Sequence, residues 1–209
     1  MTGIILAGGK STRMGTHKAF LELGGKKIIQ WVIDVFLTLF DEIILISNEP
    51  ELYKAWGFKV VPDILPGKGS LGGIYTGLVT ASQDQAFFAA CDMPFLNQKL
   101  IRYMMDQASG FDVVIPYAPT EENQSSDGLH PLHAIYSKAC TKPIERLLEK
   151  NLLKIIGFFP EVRVRRILQE EIQQFDPYLL SFFNTNTPQD LEFAKSLINN
   201  TGHREGQGE

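Results

Sequence analysis

Short apolar runs rich in β-branched and aromatic residues alternate along this chain with segments of helical period, and that alternation leaves few folds open. Gly3 to Ala7 is such a run and ends in a glycine pair. Glu42 to Ser47 (EIILIS), Lys59 to Val61, Ala86 to Cys91 (AFFAAC) and Asp112 to Ile115 follow, the last ended by Pro116. Continuous apolar runs of this kind are the mark of parallel strands buried on both faces. Between them, Ile28, Val32, Val35, Phe36 and Leu39 keep the spacing of one helix face. Leu71 to Ser82 reads as a helix after a glycine-rich loop, and Asn97 is placed to cap a helix through Ala108. Strands and helices in this order predict βαβ units and a mostly parallel sheet with helices on both faces.

The remaining segments are less regular. Phe20 to Leu23 predicts a short strand closed by the Gly24-Gly25 turn, and His130 to Tyr136 another strand. Lys138 to Lys150 predicts a helix and Glu161 to Ile167 an edge strand. Pro188 to Ile198 reads as a helix with Thr187 at its N-cap. Residues 117–128 are polar and predict an exposed loop. No linker or repeat divides the chain, so residues 1–200 are expected to form one domain, with 201–209 a disordered polar tail.

Composition narrows the function classes. In 209 residues there are 20 Lys and Arg against 24 Asp and Glu, a net charge of −4. Nucleic-acid binders usually show a basic excess, so none is expected as a partner. The longest apolar stretch, Ile28 to Ile46, is broken by Gln30, Asp34, Asp41 and Glu42, too polar to span a bilayer. The opening MTGIILAGG is too short and glycine-rich for a secretory core. The two cysteines, Cys91 and Cys140, form no CxxC pair and suggest neither disulfide nor structural zinc. The expected compartment is the reducing cytoplasm.

The segment after the first strand carries the strongest chemical signal: Leu6-Ala7-Gly8-Gly9-Lys10-Ser11-Thr12-Arg13-Met14-Gly15-Thr16-His17-Lys18-Ala19. Glycines let backbone N–H groups converge on an anion, and Lys10, Arg13 and Lys18 add cationic donors. Together they suit a polyphosphate. A Walker A loop would need glycine where Ile4 stands, and GxGxxG fails because Gly8 and Gly9 are adjacent. Asp92 stands at the carboxyl end of AFFAAC, facing the crevice where open α/β sheets bind ligands. One carboxylate there, joined by substrate phosphates, is what Mg²⁺ commonly takes.

LAGGKSTRMGTHKA resembles the signature loop of the molybdenum cofactor guanylyltransferases, enzymes that attach GMP to molybdopterin. Later segments resemble the same family in the same order: Asp63 before GSLGGI, CDMPF at 91–95, HPLHAIY at 130–136 and NTNTPQDL at 184–191. Ser70 and Gly72 depart from the family's GPLAG pattern. The resemblance implies a three-layer, Rossmann-like nucleotidyltransferase fold. It implies a catalytic set of Lys18, Asp92 and Arg13, with Lys18 on the nucleotide phosphates and Asp92 holding Mg²⁺. Nucleotide contacts would come from the backbone of Leu6, Ala7, Gly8 and Gly9, from Lys10, and near the base or ribose from Asn48 and Asp63. Asn184 and Asn186 would border the acceptor, and His130 stands where the family often has glutamine.

The implied reaction joins GTP and molybdopterin cofactor into the guanine dinucleotide form and pyrophosphate. Its nucleophile is an acceptor phosphate, already ionised at neutral pH, so no general base is required. A cytidylyltransferase for the same cofactor, a sugar-phosphate nucleotidyltransferase and a non-catalytic cofactor-binding protein remain as alternatives. The chain is expected to act as a monomer or weak oligomer in transient contact with other cofactor-synthesis proteins.

Overall fold

The computed structural model describes residues 1–8, 18–119 and 128–202. Its centre is a seven-stranded sheet built from β1 (Thr2–Leu6), β4 (Glu42–Ile46), β5 (Lys59–Val61), β6 (Gln85–Ala90), β7 (Val113–Tyr117), β8 (His133–Ser137) and β9 (Val164–Leu168). The order across the sheet is β5-β4-β1-β6-β8-β7-β9. Only β8 runs antiparallel to its neighbours; the other pairings are parallel.

Alternating side chains of each strand feed two cores. Ile5, Leu45, Phe87 and Ala89 face α1 (Ile28–Leu39) and α3 (Gln98–Asp106). Ile4, Ile44, Ile46 and Phe88 face α2 (Gly69–Thr80) and α4 (Thr141–Glu149). This is the three-layer α/β architecture expected from the alternation of runs. α1 buries Ile28, Val32 and Phe36 of the face its spacing predicts; Val35 and Leu39 are only partly buried, and Ile29 and Ile33 are buried in addition. Asn97 caps α3 through its side chain, which accepts from the N–H groups of Lys99 and Leu100. The short α5 (Gln169–Ile172) and the longer α6 (Pro188–Gly202) complete the helices named here. None of the described helices is long and apolar enough to cross a membrane.

Several local expectations change: β8 begins at His133 rather than His130, and β9 at Val164, with Glu161 ending a 3-10 helix. Lys18–Phe20 is a turn of 3-10 helix, and only β2 (Glu22–Leu23) of the predicted second strand is extended. It pairs with β3 (Lys26–Lys27) across Gly24 and Gly25, at φ 59° and 76°, the positive angles a two-residue hairpin turn demands. Pro116 lies inside β7 rather than ending it. Its register with Ile167 is kept, and β8 pairs with β7 only at Val113 and Val114, so the missing N–H falls where that strand is absent. Lys138–Cys140 is 3-10 helix leading into α4, so the predicted helix begins later.

His133 on β8 is fully buried, edge-on to Phe87 and Phe182, with no hydrogen-bond partner for either ring nitrogen among the described residues. Burial holds its pKa down to about 3, and His130 nearby pushes the same way. The native imidazole therefore stays neutral while the unfolded chain takes a proton below about pH 6.5. Its contribution to stability is full above that pH and is lost as pH falls towards 3. Urea titrations should show wild type losing about 1.4 kcal/mol more than His133→Phe between pH 7.5 and 5.5. Equal losses in the two proteins would contradict this.

Candidate active site

The chain leaves β1 outward to β4 and β5, then crosses back to β6 on the other side of β1. Open α/β sheets bind ligands beyond the carboxyl ends of their strands at such a reversal. Expected residues that the structure describes gather there. Ala7 N–H donates to Ile46 O at 2.9 Å and Cys91 N–H to Leu6 O at 3.1 Å, so Leu6 and Ala7 prolong β1 between its neighbours. Gly8 follows, exposed. Gly9, Lys10 and Arg13 lie outside the described residues, as do positions 120–127 of the polar loop and 203–209 of the tail.

The chain returns to this point at Lys18. Phe20, just beyond, packs on Tyr53 and Trp56 with ring centroids 5.3 and 5.7 Å away, and the Lys27 ammonium lies over Phe20 and Trp56. Buried Tyr53 also donates to Ala7 O at 3.5 Å. One tyrosine thus touches both ends of the glycine-rich segment. The sequence reading missed it; the only trace is the Tyr53, Trp56 pair at i, i+3.

Asn48 and Asp63 follow β4 and β5 and bind each other reciprocally. Asn48 Nδ2 donates to Asp63 Oδ2 at 3.1 Å, and Asp63 N–H donates to Asn48 Oδ1 at 2.9 Å. Asp63 Oδ1 is buried with no hydrogen-bond partner in the described structure. Burial raises the Asp63 pKa, and the Asn48 bond opposes it. A carboxylate with one oxygen satisfied and the other waiting suits a ligand N–H or hydroxyl. The N-terminal half of α2 closes this corner, because a Cβ on Gly73 would lie 3.1 Å from Leu6 and 3.8 Å from Asp63 Oδ1. Gly72 also has its reason: a Cβ there would meet Lys68 Cβ at 2.8 Å.

Asp92 follows β6 by two residues, in a turn, half-buried. Burial raises its carboxyl pKa, while its own backbone N–H and the charge of Lys18 pull the other way. The thiol of Cys91 is pushed well up by burial, so it is an inert thiol. The late NTNT segment arrives at the same place. Thr185 N–H and Oγ1 both donate to Asp92 O at 3.0 Å, and Lys18 Nζ donates to Asn186 Oδ1 at 3.1 Å. Asn184 is different: its amide turns back to donate to Phe182 O at 3.1 Å. Thr187 caps α6 as expected, its Oγ1 accepting from Asp190 N–H at 3.1 Å. His130 is buried, stacked on Phe182 at 3.9 Å, with Ala118 O 3.1 Å from Nε2, so it packs inward.

Among the described residues no cluster of three or more His, Cys, Asp or Glu could cage a metal. A cation at Asp92 would have one protein carboxylate and would need further oxygen ligands from substrate or water. A groove of about 760 Å³ lined by Tyr117, Phe159, Val164 and Arg166 among others shares no residue with this site.

The family described as "MobA-like NTP transferase domain" matches residues 3–169. The chain belongs to this family. A relative named "Molybdenum cofactor guanylyltransferase" in Desulfosudis oleivorans is 38% identical over 200 residues, covering 95% of this chain and 96% of that one. Another of the same name, in Syntrophotalea carbinolica, is 35% identical, covering 91% and 89%. The crystal structure of molybdopterin-guanine dinucleotide biosynthesis protein A from Archaeoglobus fulgidus superposes with a TM-score of 0.81 at 27% identity, covering 96% of this chain and 100% of that one. For a MobA-like NTP transferase domain, the reversal point between β1 and β6 is where a nucleotide would be expected to lie.

Proposed function

We propose that the chain transfers GMP from GTP to the molybdenum cofactor and releases pyrophosphate. The observation that carries this reading is the meeting of Lys18, Asp92 and the NTNT segment at the carboxyl end of the sheet, in a chain whose relatives are named for that transfer. A phosphate oxygen of the acceptor attacks the α-phosphorus of GTP, a new P–O bond forms, and the bond to the β-phosphate oxygen breaks. Attacking phosphate and leaving pyrophosphate are both anions, so the chief physical task is to neutralise charge while holding the groups in line.

Each residue has a part in that task. Leu6, Ala7, Gly8 and Gly9 offer backbone to the nucleotide, and Lys10, Arg13 and Lys18 bring positive charge to its phosphates. The free oxygen of Asp63, its carboxylate steadied by Asn48, faces base or ribose. Asn184 and Asn186 stand on the acceptor side. Mg²⁺ fits the donor set, because Asp92 supplies a single carboxylate and such an ion fills its shell from phosphate and water. When bound it would draw charge off the phosphate oxygens. With molybdenum cofactor present, GTP should release pyrophosphate and CTP should not. Turnover with CTP and none with GTP would overturn the assignment.

A further inference from the structure

We infer that Thr185 and Asn186 form a strap that fixes the phosphate lysine relative to the metal carboxylate, Thr185 by holding the backbone of Asp92 and Asn186 by holding the ammonium of Lys18. The inference rests on the roles proposed above for Lys18 and Asp92. It gives Asn186 a positioning role on the nucleotide side, which an acceptor contact alone would not.

A lysine ammonium rides a flexible four-carbon stem and has three donors. Left alone it samples many positions. One donor spent on Asn186 Oδ1 at 3.1 Å fixes the stem and leaves two donors for phosphate oxygens. Asn186 can do this because its own backbone is rigid. Its N–H donates to Asp190 Oδ2 at 2.8 Å, and Thr187 N–H reaches the same oxygen at 2.7 Å. One residue earlier, Thr185 is 1% exposed and places both its donors on the single carbonyl oxygen of Asp92. A carbonyl oxygen has two lone pairs, so both are satisfied and the peptide plane at Asp92 is locked. Lys18 opens a turn of 3-10 helix and Asp92 lies in the turn after β6, yet both are referenced to adjacent residues of one segment.

The test is binding of a fluorescent GTP analogue without acceptor, in excess EDTA, to wild type, Lys18→Ala, Asn186→Ala and the double variant. Asn186→Ala should weaken binding about 3–10-fold, the scale of freeing one long side chain. The double variant should bind as Lys18→Ala does, because Asn186 acts through the lysine. Unchanged affinity in Asn186→Ala, or additive losses in the double variant, would overturn the inference. If Lys18→Ala itself binds as wild type, the proposed phosphate role fails instead. For the other half of the strap, Mn²⁺ titration followed by electron paramagnetic resonance should show weaker binding in Thr185→Val and restored binding in Thr185→Ser. Equal Mn²⁺ affinity in wild type and Thr185→Val would overturn it.

Discussion

Asp92→Asn should lower the rate of pyrophosphate release from GTP by about a thousandfold, the scale of losing several kcal/mol of charge stabilisation. The fold should not suffer. Asp92 is tied into the structure through its backbone carbonyl, which accepts from Thr185 N–H and Oγ1, and asparagine keeps that carbonyl. Stability should even rise at neutral pH. The native carboxyl pKa lies above its ordinary value because burial disfavours the charge, so at pH 7 the ionised group works against folding. A neutral amide of the same shape removes that cost. Loss of activity with an equal or higher melting temperature is the signature of a residue kept for its chemistry. Wild-type turnover in this variant would remove Asp92 from the reaction; a lowered melting temperature would give it a structural role as well.

Much of this fold is legible in the sequence because its central strands are buried on both faces. β1, β4 and β6 read as uninterrupted apolar runs; β1 gives way to the glycine-rich segment, and two residues past β4 and β6 stand Asn48 and Asp92. The position of Asp92 at a strand end needs only that reading. The partner of Lys18 does not follow from it. Asn186 is 168 positions away, and Thr185 is 93 from Asp92, so no local pattern links them. Asn184, Asn186 and Thr187 look alike as residues before a helix. The structure sends Asn186 to a lysine, Asn184 to a backbone carbonyl and Thr187 to the cap of α6. The same holds for Gly72, which the sequence marks only as a departure from GPLAG until Lys68 Cβ is seen beside it.

Gly77→Ala tests the same limit with a stability measurement. By propensity alone the substitution should help, since glycine inside a helix costs about 1 kcal/mol relative to alanine. Packing reverses the sign. A Cβ on Gly77 would stand 2.6 and 2.9 Å from ring atoms of Phe88 and 3.0 Å from Ile4 Cγ2. Both neighbours are fully buried on adjacent central strands, and the Phe88 ring is held edge-on by Tyr136. Neither can retreat cheaply, so α2 must lift from the sheet. Overpacking of this kind outweighs the helix gain, and chemical denaturation should show a net loss of about 2–3 kcal/mol. The loss should be felt at the site as well. Gly73 on the same helix rests against Leu6 and beside the free oxygen of Asp63, so a lifted α2 opens the nucleotide corner. GTP affinity should fall with stability in this one variant. A neutral or stabilising Gly77→Ala would mean that the helix is free to slide on the sheet, and that the glycine is there for some reason other than close approach.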